Sequence, residues 1–259
     1  MAPLLQGSAF ISGGSSGIGK AAAFAFAEHG VQKLAIAGRN QKKLDITAKE
    51  LKDKFPQLEV LALSIDVAKE EEVKAGFSKL KAAFGRLDIA VNNAGITGRP
   101  APTHETSEEE YMDVINVNLM GIYRCQKQEI ILMLEQEDLG PRRGRGVILN
   151  IASIMSYVST QPPFGCPAYC TAKHGMLGLT KSDAVTYAEK NIRINALCPG
   201  FVDTPLLIDE VRTAVIPLTP MRRMATPEEI ADSIVILSSS MNSFAQGSGW
   251  IVDGGYTAI

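Results

Sequence analysis

The chain has 259 residues, 46% apolar and 21% charged, a globular composition that excludes a disordered protein. Lys+Arg 26 against Asp+Glu 28 gives a formal charge of -2, so no strong field favours nucleic acid or anionic lipid. No apolar run approaches the ~18 residues that span a bilayer, and the opening MAPLLQGSAF lacks the basic start and apolar length of a signal peptide. The expectation is a cytoplasmic protein with no nucleic-acid or membrane partner. Cys125, Cys166, Cys170 and Cys198 form no CxxC pair and only His29, His104 and His174 accompany them, so reduced thiols and no metal are expected.

Apolar strands alternate with longer amphipathic stretches. Ser8–Ser12 reads as a buried strand and Ile18–His29 as a helix. Lys33–Ala37 is a second strand, followed by a charged helix over Gln41–Lys54 that Pro56 ends. Val60–Ser64 is the third strand, Glu70–Phe84 a helix and Leu87–Val91 the fourth strand. Ser107 stands at an N-cap with acids behind it and opens one long helix to about Gln136. Asp138–Gly146 is a polar loop containing Arg142, Arg143 and Arg145, read as solvated. Gly146–Ile151 is the fifth strand, Ala168–Lys190 a helix, Arg193–Leu197 the sixth strand, Pro227–Ser239 a helix with Pro in its first turn, and Trp250–Val252 the last strand.

Seven continuous apolar strands separated by about six helices predict an α/β fold: one doubly wound, Rossmann-type, seven-stranded parallel sheet over residues 1–259. The least regular stretch, 201–226, is broken by prolines and follows a strand's carboxyl end. Ligands bind there in open α/β sheets, so it is a candidate substrate lid.

Ser12-Gly13-Gly14-Ser15-Ser16-Gly17-Ile18-Gly19 lies between the first strand and the first helix. Glycines allow a tight turn and close approach to a pyrophosphate, and the helix N-terminus offers free N–H groups. The spacing is G-x-x-x-G-x-G. With Asn92-Asn93-Ala94-Gly95 ending strand four, Asn118 in NVNLMG, Ser153 after strand five, Tyr169 and Lys173 in YCTAK, Pro199-Gly200 after strand six and Val252-Asp253-Gly254-Gly255 near the end, the chain resembles the short-chain dehydrogenase/reductases of about 250 residues. Ser12 stands where that family usually has Thr and keeps the hydroxyl.

The resemblance implies a nicotinamide dinucleotide held by Gly13, Ser15, Ser16, Gly17, Ile18 and Gly19 at the phosphates. Asp66 and Val67 would lie at the adenine, and Asn93, Ala94 and Gly95 beyond strand four. It also implies Pro199, Gly200, Val202 and Thr204 at the carboxamide, with Tyr169 and Lys173 touching the same cofactor. At the end of strand two Gly38-Arg39-Asn40 offers no acid for a ribose 2′-OH, whereas Arg39 can fork a 2′-phosphate, so NADP(H) is expected over NAD(H). Against that stands a solvated basic loop, and Ser16 occupies a place that is basic in many NADP-using relatives. Helix capping is the competing role of Asp66.

Tyr169 and Lys173, four apart, share a helix face. A nearby ammonium favours phenolate, so Lys173 is expected to lower the Tyr169 pKa and Tyr169 to give or take the proton. Ser153 would orient the substrate oxygen, with Ser156 and Ser159 its rivals by composition. By the resemblance, the backbone carbonyl of Asn118 would hold a relay water, with Asn116 the competing residue. Leu206, Leu207, Ile208, Val211, Val215, Ile216, Leu218 and Met221 would line an apolar pocket from the lid, faced by Pro162, Pro163, Phe164 and Cys166; a core role is the alternative. Arg222 and Arg223 are candidates for an acidic substrate.

The expected activity is interconversion of a ketone and a secondary alcohol on an apolar small molecule. A redox-neutral epimerase or lyase, or a nucleotide-sensing binding protein, would be the alternatives. The resemblance implies a homotetramer, with a homodimer as the alternative, joined through the Ser107 helix, the Tyr169 helix and the last strand.

Overall fold

In the computed structural model, which describes residues 3–160, 165–207 and 209–258, the strands are β1 (Ser8–Ser12), β2 (Lys33–Gly38), β3 (Glu59–Ser64), β4 (Ile89–Asn92), β5 (Gly146–Ile151), β6 (Ile192–Pro199) and β7 (Gly249–Val252). They form one sheet in the order β3-β2-β1-β4-β5-β6-β7, every pair parallel. Successive strands β1 to β3 run outward one way and β4 to β7 the other, so the order reverses between β1 and β4. A crevice opens beyond their carboxyl ends.

Alternation along each strand divides the core into two layers. Ala9, Ile11, Leu34, Ile36, Ile89 and Val91 face one side with Phe26, Leu44, Leu51 and Ile234. Those last four lie on helices α1 (Gly17–Glu28), α2 (Gln41–Lys54) and α8 (Pro227–Ser238). Phe10, Ala35, Ala90 and Ile148 face the other with Phe77 of α3 (Glu70–Phe84) and Met133 of α5 (Gly121–Glu135). The Phe10 and Phe77 rings meet at 4.7 Å, and each fully buried large side chain contributes about 1.5–3 kcal/mol.

The helix starts follow their caps. Asn40 Oδ1 accepts from Lys43 N–H before α2. Ser107 and Glu110 form a reciprocal capping box before α4 (Glu108–Ile115), as do Thr226 and Glu229 before α8. Three features depart from the expected pattern. The long helix is not continuous: α4 and α5 are joined by a π-helical turn over Asn116–Met120. The irregular stretch contains a short helix, α7 (Asp209–Val215). The Tyr169 helix, α6 (Pro167–Tyr187), ends earlier than expected and passes into a 3-10 turn over Ala188–Lys190. Among the described residues no helix is long and apolar enough to cross a membrane, and no group of three metal-ligating side chains occurs. All four cysteines are free.

Candidate active site

The glycine loop closes on itself so tightly that side chains are excluded. Gly13 and Gly17 have φ of 70° and 50°. A Cβ on Gly19 would lie 2.3 Å from Gly13 O and 2.6 Å from Asn93 Nδ2, and one on Gly13 2.8 Å from Asn93 Nδ2. The loop is tied to β4: Ser12 Oγ accepts from the N–H groups of Asn93 and Ala94 at 3.0 and 3.1 Å, and Asn93 Nδ2 donates to Ser12 O at 3.1 Å. The first two of these bonds use the hydroxyl that Ser12 retains. Ser16 precedes α1 without capping it through its side chain, and no acid stands in the first turn of α1, which leaves that end open to an anion.

Beside the loop, a Cβ on Gly38 would lie 3.7 Å from Ser15 Oγ. Arg39 is exposed and makes no hydrogen bond or ion pair with a described residue. Asp66 Oδ1 accepts from Ala68 N–H at 3.0 Å and closes a turn; it does not cap α3, whose N-cap is Lys69. Val67 is buried and its carbonyl accepts from Arg124.

Across the crevice Ser153 follows β5 and caps a short 3-10 turn, its Oγ accepting from Met155 N–H at 3.1 Å. Tyr169 and Lys173 come from the first turns of α6. Lys173 is only 4% exposed; its Nζ donates to Ile151 O at 2.8 Å and lies 5.5 Å from the centre of the Tyr169 ring. Burial holds this ammonium down to about 8. The expectation that the ammonium lowers the phenol is not met. Burial of the Tyr169 hydroxyl pushes it up to about 12, with a hydrogen bond from Ser153 drawing it back in part. The physical reason is placement: Lys173 is committed to a backbone carbonyl and reaches the face of the ring, not the hydroxyl. Tyr169 therefore keeps its proton, as a donor must.

Asn118 lies in the π-helical turn and is fully buried. Its Oδ1 accepts from Ile96 N–H at 2.8 Å and its Nδ2 donates to Ile96 O at 2.7 Å, which pins the segment beyond Gly95. Asn116 instead takes the Arg124 guanidinium.

A cavity of about 450 Å³ unites Ser153, Tyr169 and Lys173 with Ile18, Asn93, Gly95, Pro199, Gly200, Val202 and Thr204. Gly13, Ser15, Ser16, Gly17, Gly19, Arg39, Asp66, Val67, Ala94 and Asn118 do not line it. The first six of these lie around the loop, and Gly17 still approaches the far wall, since a Cβ on it would be 3.2 Å from Thr204 Cγ2.

The cavity's other walls are apolar. Leu206, Leu207, Val215 and Leu218 line it, as does Cys166. Ile216 and Met221 do not; they are 39% and 59% exposed, because the turns around Pro217 and Pro220 direct them outward. Ile208, the Val211 side chain, Pro162, Pro163 and Phe164 lie outside the described residues. Arg222 donates to Pro217 O and Arg223 pairs with Glu229 at 2.7 Å, so neither serves the cavity. Arg142 reaches Ser240 O, Arg143 pairs with Asp88 at 3.7 Å and Arg145 holds Gln136 O, so this loop is tied down and not simply solvated.

A family model described as Enoyl-(Acyl carrier protein) reductase matches residues 13–257. The short-chain dehydrogenase anuF of Penicillium roqueforti is 37% identical, covering 99% of this chain and 98% of its own. The cyclohexanol dehydrogenase of an Acinetobacter species is 36% identical over 96% of this chain and 94% of its own.

The chain belongs to the short-chain dehydrogenase/reductase family.

A short-chain type dehydrogenase/reductase from Mycobacterium marinum superimposes with a TM-score of 0.91 at 31% identity, covering 98% of this chain and 96% of that one. Membership makes the chain an oxidoreductase of a nicotinamide-using family. Tyr256 and Arg212 are among the residues of this dehydrogenase/reductase site that sequence reasoning missed, as are the lining residues Thr97, Ile154, Met155 and Ala214. Tyr256 lines the cavity edge-on to Phe201, with ring centres 5.3 Å apart. Arg212 of α7 holds the Asp203 carboxylate together with Thr204 O and Leu207 O. Tyr256 carried no spacing signal, and Arg212 became visible only once α7 folded beside Asp203.

Proposed function

We propose that the protein is an NADP(H)-dependent oxidoreductase that interconverts a ketone and a secondary alcohol on an apolar small molecule, with Tyr169 as proton donor and acceptor. The observation that carries this reading is the hydrogen-bonded Ser153–Tyr169 pair, set above a buried Lys173 in a largely apolar cavity. The bound nicotinamide supplies or takes the hydride. Ser153 donates to the carbonyl oxygen and orients it. Tyr169 delivers the proton at its Oη as charge develops on that oxygen, and retrieves it when an alcohol is oxidised. Lys173 sits behind the ring as a cation and, in the family, holds ribose hydroxyls. The Asn118 side chain is spent on Ile96, which fits a role through its backbone carbonyl.

The dinucleotide would lie on Gly13, Ser15, Ser16, Gly17, Ile18 and Gly19, on a turn so tight that a Cβ on Gly13 or Gly19 would strike Asn93 or the loop's own backbone. Asp66 and Val67 would meet the adenine, Asn93, Ala94 and Gly95 the ribose side, and Pro199, Gly200, Val202 and Thr204 the carboxamide. Arg39, a cation at the end of β2 without a partner among the described residues, supports NADP(H). Residues 201–226 would act as a lid whose leucines exclude water from the reacting carbon.

Exposed Met112, Tyr123, Ile131 and Leu134 on α4 and α5, with Trp250 and Ile251 on the edge strand β7, support a homotetramer. The test of the reaction is Tyr169→Phe assayed with NADPH and a cyclic ketone. Turnover should fall by about 10²–10⁴-fold while NADPH binding is kept. Substantial residual turnover would remove Tyr169 from its role.

A further inference from the structure

Beneath the strand ends that carry the site lies a buried polar cluster that the reaction does not use. Asn92 Nδ2 donates to Glu129 Oε2 and to Asn150 Oδ1, both at 3.0 Å. Asn150 Nδ2 donates to Gln126 Oε1 at 2.8 Å and Thr180 Oγ1 at 2.9 Å, and Gln126 Nε2 donates to Asp183 Oδ2 at 2.7 Å. Asn92, Asn150, Glu129 and Thr180 are completely shielded from solvent, and Gln126 nearly so.

The cluster is short of donors at one end. Asn92 Oδ1 and Glu129 Oε1 are buried without a hydrogen-bond partner among the described residues. An ionised Glu129 would add a full charge to that deficit, whereas a proton on the carboxyl supplies the one donor the end lacks. Among the described residues no cation is available to compensate. Arg124, on the same helix, spends its guanidinium on Val67 O, Asn116 O and Asn116 Oδ1. From α3, Lys74 pairs with Glu70 and Glu71, and Lys127 of α5 also turns to Glu70. The neighbouring Cys125 thiol is pushed up by burial and by Glu129 itself, and Asp183 of α6 is of the same sign. Burial accordingly raises Glu129 to about 8.

The position of the cluster gives it consequences. Asn92 and Asn150 are cross-strand partners in β4 and β5. Asn92 is followed by Asn93–Gly95. Asn150 precedes Ile151, whose carbonyl seats Lys173, and lies three residues before Ser153.

We propose that Glu129 is a positioning residue held as the neutral acid, which through Asn92 and Asn150 sets the end of β4 against the end of β5 and so registers the cofactor side of the site with Ser153 and Lys173. Its ionisation at alkaline pH places a charge against Asn92 Oδ1 and loosens that register. The proposal rests on the assignment of Ser153, Tyr169 and Lys173 to the reaction.

The experiment compares wild type, Glu129→Gln and Glu129→Leu between about pH 6 and pH 10, measuring kcat, KM and the NADPH dissociation constant. Glu129→Gln keeps the shape and cannot ionise; Glu129→Leu removes the polar partner of Asn92. The expected result is that Glu129→Gln retains turnover near pH 7 while Glu129→Leu loses roughly tenfold in kcat. At about pH 9 the NADPH dissociation constant should have risen at least about fivefold more in wild type than in Glu129→Gln. The Lys173 titration is present in both proteins, so only the difference between them is assigned to Glu129. Superimposable pH profiles for wild type and Glu129→Gln would overturn the proposal.

Infrared spectroscopy of the wild-type protein tests the same point without a variant. A buried carboxylic C=O band should persist at pH 7 and disappear as pH passes the range of about 8–9. Absence of that band at pH 6 would equally overturn the proposal. If Tyr169→Phe kept full turnover, the reaction assignment would fail, but the infrared band and the binding difference would stand, so the two failures are separable.

Discussion

On the proposed reading, cofactor choice hangs on one side chain. Arg39 is exposed, has no partner among the described residues, and follows a glycine that leaves room beside Ser15. Arg39→Asp removes the only cation at the end of β2 itself and puts a ribose acceptor in its place. A charge-assisted contact contributes about 1.5–3 kcal/mol. Exposure and salt place this one toward the lower end, so wild type should prefer NADPH over NADH by roughly tenfold, with an upper bound near a hundredfold. Reversing the charge adds repulsion to the lost attraction, so the NADPH-to-NADH ratio should drop by roughly a hundredfold or more. Lys42 and Lys43 are exposed and screened, and cannot restore it. Folding should be unaffected. Asn40, not Arg39, caps α2, and an acid just before a helix N-terminus is favourable. The assay is kcat/KM with each reduced cofactor at two salt concentrations, for wild type and Arg39→Asp. The wild-type preference should shrink as salt rises. A wild-type ratio near one, unmoved by the substitution, would show that Arg39 lies away from the phosphate and would refute the reasoning.

Gly19→Ala should weaken NADPH binding at least about tenfold, because its Cβ would stand 2.3 Å from Gly13 O and force the phosphate loop open; calorimetric titration checks it, and unchanged affinity would place the cofactor elsewhere. Glu129 carries a folded pKa of about 8 against 4.5 unfolded, so its contribution to stability is full below the lower value and is lost as pH rises through the higher. Between pH 5.5 and 8 wild type should lose about 3 kcal/mol that Glu129→Gln retains, read from denaturant midpoints. Lys173, lowered to about 8, is a cation below that pH and loses its charge above it, so NADPH-dependent reduction should decline as pH passes 8, and Lys173→Ala should impair both turnover and cofactor affinity. Light scattering at micromolar concentration should give a mass well above the 27.8 kDa of one chain.

The sequence by itself determined the parallel α/β fold and the place of nearly every strand and helix, with most ends within one to three residues, because buried strands and capped helices write their signals locally. Ser8–Ser12, Gln41–Lys54, Glu70–Phe84 and Gly146–Ile151 coincide with the observed elements. It also pointed to the glycine loop, Ser153, Tyr169 and Lys173, since their spacing is tied to strand ends and one helix face. Tertiary structure decided what depends on distant neighbours. The π-helical turn at Asn116–Met120 accompanies the pair of bonds between Asn118 and Ile96, 22 positions away. The direction of the Tyr169 shift follows from burial and from Lys173 being committed to Ile151 O; the i, i+4 spacing alone suggested the opposite sign. Tyr256 enters the cavity from the far end of the chain. Glu129 looks like an ordinary helix acid until β4, β5 and α6 enclose it. Burial and long-range pairing are properties of the packed molecule, and no local pattern encodes them.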